Sequence, residues 1–196
     1  IKPTIILKPN NITSPISDFF YWENNNDFKT KFFIFNLATH AIPEEEIDDE
    51  VKIFVFDSLG FKVFNKIIHL KHNQIHELIF DEIKLEGAGS FLVFHKFSKY
   101  DTLIQKKTNI ADRGYTGYSK NRGIWNYVHG NNYSFSLEKN NFIKPLIPKT
   151  ILYNNYIPQV SFEDTSSFSI LLNNPSYKKE KIFIYALDHK NKEITK

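Results

Sequence analysis

Val51-Lys-Ile-Phe-Val-Phe-Asp-Ser-Leu-Gly-Phe-Lys-Val-Phe64 decides the fold class of this 196-residue chain. Two short apolar and aromatic runs, Val51 to Phe56 and Phe61 to Phe64, flank Asp57-Ser-Leu-Gly60. β-Branched and aromatic side chains suit the pleated surface of a strand. A turn that opens on a short polar residue and closes on glycine suits a hairpin whose last turn position needs positive φ. The same texture recurs at Phe32 to Leu37, Ile75 to Phe80, Ser90 to Phe97 and Ile124 to His129. Helical signals amount to one turn over Glu44 to Val51 and another over Asp81 to Glu86. Short strands with turns at regular spacing predict an all-β antiparallel sandwich.

Working outward, part of this pattern occurs twice. Ile53-Phe-Val-Phe-Asp57 is echoed by Ile184-Tyr-Ala-Leu-Asp188, Ile34-Phe-Asn36 by Leu171-Leu-Asn173, and Thr4-Ile-Ile6 by Thr150-Ile-Leu152. Asn191 falls where the first copy has Gly60, and Asn is the usual stand-in for Gly in the left-handed region. Residues 1–138 are therefore expected to form one β-sandwich domain, 139–148 a linker, and 149–196 the start of a second module or a packed extension. Half a sandwich would expose an apolar face, at about 25 cal/mol per Å². The pattern resembles tandem immunoglobulin-like or fibronectin-like modules in general architecture, and no motif names a family.

Composition narrows the function classes. Apolar residues make up 41% of the chain and aromatics 16%, with 19 Phe, enough for a substantial core and contrary to disorder. The net charge of +3 is small and the cations form no dense block, so no nucleic-acid partner is expected. No apolar run approaches the roughly 18 residues of a membrane-spanning helix, so no membrane insertion is expected either. The chain begins at Ile1 and contains no Met, which reads as a mature product or a fragment. Zero cysteines exclude disulfides and thiol nucleophiles.

The segment from Ala111 to Asn131 breaks with the rest. It holds both arginines, Arg113 and Arg122, four of the seven glycines and Trp125. Arginine's planar fork grips carboxylates and stacks on rings, and the glycines suggest a long, closely built loop. If Gly123 to His129 is a strand, Trp125, Tyr127 and His129 share one face, about 7 Å apart. The expected ligand-binding set is Arg113, Tyr115, Tyr118, Arg122, Trp125, Tyr127 and His129, offered to a saccharide or a protein partner. A catalytic alternative makes His129 a general acid or base, oriented by Asp112, with Arg113 neutralising an anion. That would be a hydrolase or lyase acting on a polysaccharide or ester. A third reading makes the segment an internal brace in a purely structural subunit, with Trp125 enclosed.

Other motifs point to less. His69, His72 and His76 would share a metal if Lys71 to Gln74 closed a hairpin, but structural zinc normally takes four ligands, and solvent-facing histidines are the better expectation. The acidic run Glu44 to Glu50 lacks a calcium-loop pattern and reads as a solvated loop. Phe19 to Trp22 read as core aromatics. No cofactor is expected. The leading expectation is a non-catalytic recognition module of a larger surface or extracellular protein.

Overall fold

The computed structural model describes residues 12–14, 16–36, 38–106, 114–121, 123–129 and 135–145. All of these lie in the first of two units into which the chain divides, Ile1–Leu146. Asp112, Arg113, Arg122 and residues 149–196 fall outside them, as does the whole of the second repeat copy.

The described chain is almost entirely antiparallel β-structure. One sheet has the order β2 (Ile16–Asn24), β7 (Gly87–Phe97), β4 (Asp49–Asp57), β5 (Lys62–Leu70). A second has the order β6 (Ile75–Ile79), β3 (Phe28–Phe35), β8 (Gly114–Lys120), β9 (Trp125–His129). A small third sheet joins β1 (Ile12–Ser14), β10 (Phe135–Glu138) and β11 (Ile143–Pro145). Two short helices, α1 (Ala38–Ala41) and α2 (Tyr100–Gln105), stand where no helix was expected. The expected helical turns at Glu44 to Val51 and Asp81 to Glu86 are bends, turns and the start of β4 instead.

The two four-stranded sheets meet over one aromatic core. Alternate residues of each strand point inward: Phe20 and Trp22 from β2, Phe32 and Ile34 from β3, Val51, Ile53 and Val55 from β4, Phe91 and Val93 from β7. The rings of Phe20, Phe32 and Phe91 lie 4.9 to 5.2 Å apart, the spacing at which aromatic pairs attract. Trp22 satisfies its buried N–H by donating to the Phe56 carbonyl at 2.8 Å.

The opposite face of the β2–β7–β4 sheet is also covered. Phe54, Leu92 and Phe94 pack there against Leu137, with Phe135 and Ile143 beside them. A strand covered on both faces reads as a continuous apolar run, which is what Phe91-Leu-Val-Phe94 is. Residues Ile143–Pro145, expected to be linker, supply one strand of this cover.

The hairpin that decided the fold class forms between β4 and β5. Gly60 closes its turn at φ +84°, and the Asp57 carboxylate accepts hydrogen bonds from the Leu59 and Phe61 amides, both at 2.9 Å. The expected loop over residues 111–131, by contrast, is largely the β8–β9 hairpin. Gly114 and Gly117 serve close packing. A Cβ on Gly114 would come within 2.6 Å of the Phe32 ring and 2.9 Å of a backbone oxygen, so only glycine lets β8 lie so close.

One end of the core holds charge. His95 of β7, Asp49 of β4 and Asp18 of β2 have no exposed side-chain surface. His95 Nδ1 donates to Asp49 Oδ2 at 2.7 Å, and Nε2 lies 3.5 Å from Asp18 Oδ2, an ionic contact longer than a good hydrogen bond. Burial pulls the His95 pKa down, but the Asp49 charge and the contacts to both carboxylates outweigh it and hold it above its ordinary value.

His95→Ala would leave two carboxylates buried without their cation and is expected to lower stability by about 3–5 kcal/mol, read by urea unfolding. Because the folded imidazole pKa is raised, its contribution is complete below the ordinary value of 6.5 and is lost as pH climbs through the folded value. The parent should therefore lose stability above neutral pH, whereas His95→Gln, which cannot titrate, should show a flatter profile. Parallel profiles would remove the imidazolium from the account.

Candidate functional site

The register across the second sheet assembles one face from three strands. Lys29, Ser119 and Trp125 form one row; Lys31, Gly117 and Tyr127 the next; Phe33, Tyr115 and His129 a third. Glu77 of β6 pairs with Phe33 and extends the third row. All these positions alternate with residues of the opposite face, where Phe32, Ile34 and Thr116 are buried. The outer face is thus aromatic in its centre and charged at its margin.

Lys31 sits at the middle of it. Its ammonium lies 4.3 Å from the Trp125 ring centroid, 5.0 Å from Phe33 and 5.7 Å from Tyr127. The Glu77 carboxylate is 3.4 Å away. Partial burial pulls the Lys31 pKa down, but Tyr127 and Glu77 outweigh it and hold the pKa above its ordinary value. The ammonium therefore stays charged, and ring contacts of this kind contribute about 0.5–1 kcal/mol at exposed sites.

Gly117 makes the arrangement possible. A Cβ there would stand 2.6 Å from Tyr127 Cε1 and 3.1 Å from Trp125 Cε3. Without it, both rings lean over β8, and the Tyr127 ring also packs 5.9 Å from Phe33. Tyr115 bridges two further rings, 5.8 Å from Phe35 and 6.2 Å from His129, both edge-on. Trp125 is half-buried, while Tyr127 remains 46% exposed.

Of the residues expected to bind ligand, the structure gathers Tyr115, Trp125, Tyr127 and His129 on this face. Tyr118 stands on the other face. It is half-buried, and its hydroxyl donates to the Tyr21 carbonyl at 2.7 Å. Burial pushes its phenol pKa up, so it is neither placed nor poised to serve a ligand on the outer face. Arg113, Arg122 and Asp112 lie outside the described residues, so the convergence of His129 with Arg113 and Asp112 that an active site requires is not part of the described geometry. Lys31, Phe33 and Phe35 were not expected here. Their signal is in Phe28-Lys-Thr-Lys-Phe-Phe-Ile-Phe35, where two outward positions of an alternating strand are Phe rather than polar.

The histidine group does not assemble as a hairpin. β5 and β6 belong to different sheets. His69 lies on β5, exposed and opposite Glu50, and His76 lies on β6 with Nε2 3.4 Å from Lys66 Nζ. Burial and the Lys66 charge hold the His76 pKa below its ordinary value. His69 instead lines a cleft of about 380 Å³ with Asp48, Asp49, Glu50, Lys71 and Lys96. The connection from β5 to β6 must cross between sheets, which carries the two imidazoles apart.

No family model matches the chain, and no curated protein or solved structure is significantly similar to it.

Gly117→Ala is expected to push the Tyr127 and Trp125 rings off β8. Both are partly exposed and free to move outward, so stability should fall by less than about 1 kcal/mol, within the usual range for surface changes. Trp125 emission should shift toward that of an exposed indole, with buried Trp22 as the internal reference. Lys31→Met should change Trp125 emission without altering the unfolding midpoint by more than surface substitutions usually do. Emission unchanged in both variants would contradict the ring geometry.

Proposed function

We propose that this chain is a non-catalytic recognition module of a larger surface or extracellular protein, and that the outer face of the β6–β3–β8–β9 sheet is its contact surface. One observation carries the reading: Trp125 and Tyr127, with Lys31 between them, are part-exposed on an open sheet face rather than enclosed. A brace would enclose Trp125. Aromatic residues dominate the energetic centres of protein contacts because they bury large areas at little entropic cost. The ligand class this face suits best is a protein surface, with Tyr127 as the anchor. A saccharide is the second reading, favoured by the part-exposed ring of Tyr127 beside His129, and the catalytic alternative has no comparable support among the described residues.

The finer fold assignment, an immunoglobulin-like or fibronectin-like module with a partial second copy, belongs to the same proposal. Two antiparallel sheets sharing one core support it. Strand order counts against it, because the sheet orders β2-β7-β4-β5 and β6-β3-β8-β9 each contain only one pair of consecutive strands, fewer than the four-stranded sheet of an immunoglobulin domain.

The test is a screen of the intact chain against a glycan array and a panel of extracellular proteins, followed by Tyr127→Ala and Trp125→Ala. Each should weaken the ligand found by about 2 kcal/mol or more, the size expected of an anchor, with little change in thermal midpoint. A ligand bound equally well by both variants would move the site elsewhere. A large drop in midpoint would restore the brace.

A further inference from the structure

We propose that β9 is an edge for self-association, pairing antiparallel with β9 of a second copy of this chain so that two four-stranded sheets become one of eight strands. The proposal concerns the strand's edge, whereas recognition concerns the sheet's face, so neither depends on the other.

Position comes first. β9 ends its sheet, with no strand beyond it among the described residues, and Asn126, Tyr127, Val128 and His129 are all exposed. Exposure on both faces is unusual for such a strand: Val128, pointing away from the aromatic platform, is 48% exposed, and Ile124 just before it is 85% exposed.

Charge decides the occupant. Free edges are normally guarded by charged residues or proline. The other three edges of the two large sheets are guarded in this way: β2 carries Glu23, β5 carries Lys62 and Lys66, and β6 carries Glu77. β9, Trp-Asn-Tyr-Val-His, has no acid, lysine, arginine or proline in a chain that is 24% charged. Its sequence also complements itself. Centred on Tyr127, a two-fold axis sets Tyr127 against its own copy, Trp125 against His129 of the second copy, and Asn126 against Val128 of the second copy. Aromatic cross-strand pairs stabilise a ladder, and a two-fold contact of this kind closes as a dimer rather than growing into a fibre. A pairing of five residues buries less than the ~800 Å² per partner of a stable complex, so the dimer should be weak and depend on concentration.

The experiment is sedimentation velocity of the full chain over a wide concentration range, with the double variant N126K/V128K and the charge-paired variant N126E/V128K. Both positions lie off the aromatic platform. In the dimer, N126K/V128K sets two lysines opposite each other, and N126E/V128K sets an acid opposite a lysine. The parent and N126E/V128K should self-associate, and N126K/V128K should be weakened about tenfold or more, all three with the same circular dichroism. Amide exchange gives a test free of variants: protection of the Trp125 and Tyr127 amides, which face the open edge, should rise with parent concentration, while those of Asn126 and Val128, which face β8, should not change. A parent that stays monomeric, association that N126K/V128K leaves intact, or Trp125 and Tyr127 amides protected equally at every concentration would each overturn the proposal; the last would mean the chain covers its own edge.

Discussion

The buried contact of His95 with Asp49 and Asp18 constrains more of this molecule than any other interaction. It ties β7 to both of its neighbours at once, on the face that looks into the core. Side chains alternate with a period of two, so slipping β7 by one residue would turn His95 outward and strand both carboxylates in an apolar interior. Hydrophobic packing alone would penalise such a slip weakly here, because β7 is apolar on both faces and Leu92 and Phe94 could trade places with Phe91 and Val93. The ion contact supplies the discrimination that the apolar residues lack. Its net contribution to stability is a separate matter, since burying three charged groups is costly and the attraction does little more than offset that cost.

A fixed central sheet then sets how close the second sheet can come. β8 approaches through Gly114 on its inner side, where the Phe32 ring occupies the place of a Cβ. It accepts the Tyr127 and Trp125 rings through Gly117 on its outer side. The two glycines act on opposite faces of one strand, and both roles are steric. This is why the segment looked like a loop in the sequence: two glycines in seven residues offset the strand propensity of the tyrosines and threonine between them, and the reason for those glycines is a neighbour far away in the chain.

What could be read from the sequence follows the same division. The β4–β5 hairpin was legible because its information is local: alternating apolar residues, then an Asp and a Gly that build the turn. The common face of Trp125, Tyr127 and His129 was legible for the same reason, since alternation is a property of any strand. The third sheet was not, because Phe135, Leu137 and Ile143 reveal their purpose only when Phe54 and Phe94 are found on the far face of the middle sheet. Nor was the parting of His69 from His76, which depends on a crossing between sheets rather than on the residues between them. Lys31 was hidden by its ordinariness in a lysine-rich chain; only the register places it among three rings.

The unequal treatment of the two outer faces bears on function. The chain lays β1, β10 and β11 over the outer face of the β2–β7–β4 sheet, and the residues beneath them, Phe54, Leu92 and Phe94, are aliphatic or plain aromatic. The outer face of the other sheet receives no such cover among the described residues. Four of its six rings belong to Trp125, Tyr115, Tyr127 and His129, which carry a polar edge suited to contact with water as well as with a partner. Had that face needed only solubility, lysine and glutamate at Phe33, Tyr115 and Tyr127 would have served at little cost. Keeping six aromatic or imidazole side chains there, steadied by Lys31 and made possible by Gly117, is a choice that folding alone does not require.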